Sequence, residues 1–448
     1  MTRATLQSLS AALAVAGLAC GGSDRAPAPD SPGDTASTAA GRGPAADTVT
    51  FPDGFRGTVF ADSLGLARHL AARPNGDLYV NTHRSPYDST RPVPEGGFVV
   101  ALRDTNRDGR ADRIERFGGE AGDGGTGIAV FRDHLYVEAG PVILRYRLRS
   151  SELAPGSAPD TIVGGLPKGG NHAEHPFAID SAGNLFVNSG SATNACQQTD
   201  RQAGSTGLRP CPELETRAGI WRFSATSTGQ RFEPGARYAT GIRNAMGLAV
   251  NPADGALYAT QHGRDQLAEN WPRLFDWKES AELPAEELLL IVKGGDYGWP
   301  FCYYDPRAEK RVLAPEYGGD GEKVGECAEK LGPVAAYPAH WAPNALVFLT
   351  GDLFPARYRG GAFIAFHGSW NRAPEPQAGY NVVFQPFADG KPAGDYEVFA
   401  DGFAGPRKEP GTAKHRPAGV TVGPDGALYI SDDVGGRVWR VGQGSGGS

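Results

Sequence analysis

Between Asp104 and Glu115 the chain sets oxygen-bearing side chains at alternating positions. They are Asp104, Asn106, Asp108, Asp112 and Glu115, with Gly109 at the turn and Arg110 offering its carbonyl. Such spacing suits Ca²⁺, a hard cation that takes oxygen ligands, and follows the twelve-residue calcium-loop pattern. Residues 97–102 and 114–117 on either side read as strands, so the expected object is a calcium-clamped hairpin with a structural role. A polar turn whose Asp and Asn side chains bind their own backbone is the alternative. A second kind of chemistry gathers in four segments: 169–175, 240–248, 261–265 with 290–300, and 367–372 with 414–417. They carry His172, His175, His262 and His367, the arginines Arg243, Arg264, Arg372 and Arg416, and Asn244. Imidazole takes a proton near neutral pH, and guanidinium grips carboxylates with a planar fork.

These segments lie beside a phrase that recurs six times, a turn followed by a short apolar strand. It runs over 73–81, 132–138, 180–188, 251–260, 358–366 and 423–431, for example Asp77-Leu78-Tyr79-Val80-Asn81 and Ala427-Leu428-Tyr429-Ile430-Ser431. Asp-Gly and Asn-Gly turns feeding apolar alternation signal hairpins. Upstream stretches such as 247–250 and 419–422 supply the partner strand. Six copies roughly 50–70 residues apart, with one wider gap across an insert from about 261 to 343, predict an all-β fold, a six-bladed β-propeller with four-stranded blades over residues 49–443. A β-sandwich has no need of one phrase six times. The best helical stretch is a short one near 281–290. Loops at one mouth of such a ring are the expected place for a site.

Residues 1–20 have one early cation, Arg3, and an apolar run too short to span a bilayer, ending at Cys20. This reads as a lipoprotein-type signal peptide with Cys20 as the lipidated residue, although Gly17 stands where such boxes usually carry leucine. Residues 21–48 are rich in Pro, Ala and Gly and cannot bury enough surface to order themselves, so a flexible tether is expected. Residues 444–448 form a short flexible tail. Four further cysteines remain, and proximity pairs Cys196 with Cys211 and Cys302 with Cys327. An oxidising compartment preserves such bonds. The expected location is therefore outside the cytoplasm, as a periplasmic or outer-membrane-associated lipoprotein held to its membrane by lipid. A net charge of −7 argues against a nucleic-acid partner.

In order and spacing, the run Gly294-Gly295-Asp296-Tyr297-Gly298-Trp299-Pro300, the run Gly241-Ile242-Arg243-Asn244-Ala245-Met246-Gly247 and the run His367-Gly368-Ser369-Trp370-Asn371-Arg372 resemble the glucose/sorbosone dehydrogenase family. The likeness covers most of the chain after about residue 51 and is nearer the sorbosone-dehydrogenase-like branch. It implies a six-bladed propeller that oxidises a sugar, polyol or sugar-derived aldehyde with pyrroloquinoline quinone (PQQ). Electrons would pass to an external quinone or a separate cytochrome. PQQ carries three carboxylates, and the resemblance assigns Arg243, Asn244, Arg416 and Arg372 to hold it. It assigns the backbone carbonyls of Gly263 and Arg264 to a Ca²⁺ at the cofactor, and the role of general base to His172. Three departures from the glucose-oxidising branch stand out. Asn171 replaces an aspartate before the histidine, the acidic residue after the next strand is absent from 188–191, and a lysine of the fifth blade has no counterpart. A propeller binding module without redox activity is the principal rival reading. A calcium-dependent lactonase is a lesser one.

Overall fold

The computed structural model describes residues 49–83, 95–119 and 124–444. The signal peptide with Cys20, the tether and residues 445–448 lie outside them. Six sheets follow one another in a ring. Their innermost strands are Ala67–Ala72, Ile128–Phe131, Phe177–Ile179, Ala245–Val250, Pro343–Phe348 and Pro417–Val422, opening blades 1 to 6 in that order. Each packs against the innermost strand of the next blade, and blade 6 returns to blade 1. The expected six-bladed propeller is the observed fold. Four strands build each blade, with Gln230–Arg231 added in parallel to the edge of blade 2. Blade 6 takes its outer strand from the other end of the chain, since Phe55–Ala61 pairs antiparallel with Val438–Gln443 and closes the ring.

The recurring phrase is in every case the turn into the second strand of a blade. Its regularity has a physical cause. A propeller strand is covered on both faces, so its alternate side chains enter different interfaces. Leu78 and Val80 pack toward blade 6, and Tyr79 packs toward blade 2. Leu135 and Val137 face back, and Tyr136 forward. The same parity holds for Leu428, Ile430 and Tyr429. In five of the six blades the fourth position also faces forward and carries a buried polar group that bonds the next blade's backbone, whereas blade 5 has Ala365 there. Asn81 donates to the Gly127 carbonyl at 2.9 Å, Thr260 to Pro343 at 2.9 Å, and Ser431 to Arg68. Asn188 accepts from the Ala245 amide at 3.2 Å. Gly419 fits this seam because a Cβ there would stand 2.4 Å from the Arg68 carbonyl oxygen.

One expectation about local structure is revised. The helix near 281–290 is instead Trp277–Glu282, started by an Asp276 capping box, and Glu286–Ile291 is the third strand of blade 4. Pro284 bars helix continuation, and the apolar run after it is buried as a sheet strand. The hairpin Val99–Arg103 with Arg113–Phe117 forms as expected, but its oxygens serve their own loop. Asp104 accepts from the Asp108 and Gly109 amides, Asp108 from Arg110, and Asp112 from Thr105, while Glu115 pairs with Arg113. Among the described residues no three His, Cys, Asp or Glu side chains are gathered as a metal ion requires. The bonds of this loop are of the kind that the polar-turn alternative describes. Both disulfides have the expected pairing, Cys196–Cys211 and Cys302–Cys327.

Candidate active site

Each blade brings two chain ends to one mouth of the ring, the start of its innermost strand and the end of its second strand. A cavity of about 940 Å³ opens there. It is lined by His172 from blade 3, Arg243, Asn244, Gly263 and His262 from blade 4, Asn371 and His367 from blade 5, and Arg416 from blade 6. Residues separated by up to 244 positions in the chain thus share one space, because every blade starts and turns at the same level. Gly190 shows how closely His172 and Asn244 approach. A Cβ on it would lie 2.6 Å from the His172 Cβ and 3.0 Å from Asn244 Oδ1.

The His172 ring is fixed at one nitrogen. Nδ1 lies 2.9 Å from the Ser191 carbonyl oxygen and 3.0 Å from its hydroxyl. A carbonyl only accepts, so Nδ1 carries the proton and Nε2 is left as a basic lone pair. Burial, then the Arg243 charge, lowers the His172 pKa well below the ordinary 6.5, and the ring stays neutral at physiological pH. Asn171, the neutral neighbour, turns away to Asp200 at 3.1 Å. The carboxylate that acts on the ring is instead Asp265, remote in sequence.

Arg243 is 3% exposed and nearly saturated. Its Nε donates to the Asn194 carbonyl, Nη1 to the Gly263 carbonyl at 2.8 Å, and Nη2 to Asn194 Oδ1 and Asp265 at 2.8 Å. Of five guanidinium hydrogens one, on Nη1, remains for a ligand. Arg416 bonds the carbonyls of His367 and Gly368 at 3.0 and 2.7 Å and lies over the Tyr380 ring. Arg372 does not reach the cavity. Its guanidinium ties the carbonyls of Ala281, Ala339 and Pro376 together, holding blade 5 to the blade 4 insert. The Arg264 side chain is likewise structural, buried against Glu316. Tyr297 and Trp299 are buried anchors, as their apolar setting suggests, whereas Trp370 is 54% exposed on the cavity wall.

Several cavity residues carry no local signal in the sequence. Arg68 joins Glu174 and Asp433 at 2.7 Å each, and Asp433 also accepts from His367 at 2.8 Å. Arg201 reaches Asp265 at 2.9 Å from the opposite side. Glu286, at the insert's exit, accepts from the Gly263 and Ala342 amides, and burial pushes its pKa up to about 8. Glu138 was legible in principle, since it fills the polar fourth position of the repeated phrase. It accepts from the amides of Thr126, Gly127 and His175. Burial, with the Glu174 charge, outweighs those donors and raises its pKa from 4.5 to about 7. The folded chain then holds a proton that the unfolded chain has released. Stability is expected to fall as pH rises from 4.5 to about 7 and to level off above, by on the order of 3 kcal/mol. Urea unfolding across that range checks this. Glu138→Gln cannot ionise and is expected to lose that slope, so equal slopes in both proteins would contradict it.

A model of the TrAA12-like family matches residues 49–444. The chain belongs to this family. Among sequence relatives, a pyrroloquinoline quinone-dependent sugar dehydrogenase of Hypocrea jecorina is 23% identical over 198 residues, 41% of this chain and 43% of that protein. An uncharacterized protein of Borreliella burgdorferi is 27% identical over 205 residues, 45% of this chain and 48% of that protein. The match spans about half the length of these relatives or less. In structure, the TrAA12-like chain resembles the calcium structure of the Trichoderma reesei AA12 carbohydrate-active enzyme, with a TM-score of 0.71 at 19% identity over 89% of this chain and 97% of that one. The holo PQQ domain of a Coprinopsis cinerea pyranose dehydrogenase gives 0.69 at 18% identity over 88% and 97%. The soluble aldose sugar dehydrogenase of Escherichia coli gives 0.57 at 17% over 87% and 100%. At such identities the likeness is one of fold. The TrAA12-like residues at the mouth must therefore be judged by their own geometry.

Proposed function

We propose that this chain is an exported PQQ-dependent oxidoreductase that takes hydride from a sugar, a polyol or a sugar-derived aldehyde. The observation that carries this reading is the convergence of His172, Arg243, Asn244 and Arg416 on one cavity. The binding-module reading would have been favoured by their separation. The relatives that bind PQQ and act on sugars add support. The cavity lies within the size range of small-molecule sites. Arg68, Arg201, Arg243 and Arg416 line it, and an anion with several carboxylates suits such a wall. Arg243 offers its remaining Nη1 hydrogen, Asn244 its amide, and Arg416 its charge. When bound, PQQ supplies an ortho-quinone that accepts hydride. His172 takes the hydroxyl proton at Nε2 while Ser191 holds the ring in the required tautomer. The low polarity around the buried ring keeps it neutral and ready to accept that proton.

Calcium at the cofactor has a weaker footing. The Gly263 carbonyl already accepts from the Arg243 guanidinium at 2.8 Å, so a cation on that oxygen would stand beside a positive charge. The calcium structure of the AA12 relative supports the expectation, the donor geometry here does not, and no step is assigned to the ion. Export rests on the apolar segment before Cys20 and on the two disulfides, which persist in oxidising compartments. Lipidation at Cys20 and an external quinone or cytochrome as electron acceptor complete the reading. Its test is to titrate the purified protein with PQQ, with and without Ca²⁺, and follow dye reduction across a panel of aldoses, polyols and aldehydes. Absence of both binding and turnover would sink it.

A further inference from the structure

The loop that presents His172 has little to hold it in place. Residues 168–171 are exposed, and Gly169 and Gly170 adopt positive φ values of 69° and 83°. Yet the base must stand within hydrogen-bond reach of its proton. The backbone of the loop is fastened to the neighbouring segment 188–192, and its Asn171 side chain to Asp200. The Asn171 amide donates to the Ala192 carbonyl at 2.8 Å, and His172 Nδ1 to that of Ser191. Gly170 sits so close that a Cβ would stand 2.7 Å from the Ala192 Cα. Two side chains then lie across the same two segments behind the site, and of the two only Arg217 has donors for both. His175 places Nδ1 2.9 Å from the Asn188 carbonyl and Nε2 2.9 Å from that of Pro167. Arg217, 9% exposed, directs Nη2 to the Lys168 carbonyl at 2.7 Å and Nη1 to that of Gly190 at 3.3 Å.

We infer that Arg217 is a positioning residue for His172, clamping the base's loop to the turn that orients its ring. The inference rests on the reading of His172 as the base. Arg217 does not line the cavity and touches no group proposed to hold the cofactor. Its guanidinium keeps its charge at all relevant pH values and has the forked geometry to span two carbonyls, which a neutral side chain lacks. Its own position is set from the other side. Glu213, two residues beyond Cys211, accepts from the amides of Ala192 and Thr193, and the Arg217 amide donates to the Glu213 carbonyl. The Cys196–Cys211 disulfide thereby ties the clamp to the segment it holds.

The test compares the full-length protein with Arg217→Met, which keeps bulk and loses the donors, and Arg217→Lys, which keeps the charge. Arg217→Met is expected to raise amide hydrogen exchange in residues 166–173 and to lower kcat about 10- to 100-fold, because small misplacements of a reacting group cost rates of that order. The PQQ dissociation constant and KM are expected to stay within about threefold, and Arg217→Lys to recover part of both losses. Exchange at 166–173 unchanged from the native protein in both variants would overturn the clamp. A parallel rise in KM and in the PQQ dissociation constant would overturn it too, since that pattern marks general collapse of the cavity. Exchange is read on the protein without cofactor. If the native protein turns over no substrate, the functional reading falls while the exchange result still decides the clamp.

Discussion

Replacing His172 with alanine is expected to lower kcat by about 10³-fold while leaving PQQ affinity within about threefold of the native value. The first figure follows from what the ring does. A general base removed from a site contributes two to four orders of magnitude, and here Nε2 is the free lone pair that a bound hydroxyl would meet. The second follows from what the ring does not do, since the cationic grip on the cofactor comes from Arg243 and Arg416. Arg243→Ala should show the converse, a PQQ dissociation constant raised at least about tenfold. Isothermal titration and dye-coupled turnover measure the two quantities separately. Equal loss of binding in both variants would contradict the division of roles. The pH profile adds a signed test. A base works unprotonated, so activity falls as pH drops through its pKa. Burial and the Arg243 charge place that pKa well below 6.5, so the acid limb of kcat/KM should lie below the ordinary histidine range.

The blades were legible in the sequence because the burial pattern of a propeller strand repeats. Leu78, Tyr79 and Val80 are apolar in succession since each faces a neighbouring blade, and Asn81 follows since the next blade's backbone needs a partner. The closing strand Phe55–Ala61 was not legible. Only Phe60 and Ala61 are fully buried in it, and it lies on the outer edge where the phrase is not required. At the site, motif positions located His172, Arg243 and Arg416, but adjacency in a motif says little about where a side chain points. Trp370 and Arg372 are two positions apart, yet one lies open on the cavity wall and the other ties loop carbonyls outside it. Between Asp104 and Asp112, too, position in a motif leaves side-chain direction open. A loop with the right oxygens folds them onto its own amides. The charge network was least accessible, because Arg68 meets Glu174 at 106 positions and Asp433 at 365 positions along the chain. Only ring closure brings blades 1, 3 and 6 to one point.

That network supplies the second large effect. Arg68→Met is expected to destabilise the protein by about 3 kcal/mol at neutral pH, because it strands the buried Asp433 and the partly buried Glu174 without their cation. Arg68 is 6% exposed, and its three donor groups reach Thr126 at 3.0 Å and Asp433 and Glu174 at 2.7 Å. Burial alone would raise the pKa of both Glu174 and Asp433. For Glu174 the Arg68 charge, with His83 and Thr126, reverses this and holds the pKa well below 4.5. For Asp433 the nearby His367, then Arg68, does the same. Carboxylates lowered in this way add stability that is present above their unfolded pKa and lost as pH falls through the folded one. Without Arg68 both pKa values rise, and protonation then relieves the repulsion. The difference between variant and native protein should therefore be largest near pH 7 and shrink below about pH 4, which urea unfolding at the two pH values measures. Arg68→Lys is expected to recover only part of the loss, since a single ammonium cannot span three partners on three blades. A full recovery would show that net charge, not the guanidinium fork, holds this junction, and a pH-independent loss would show that the carboxylates are not what Arg68 sustains.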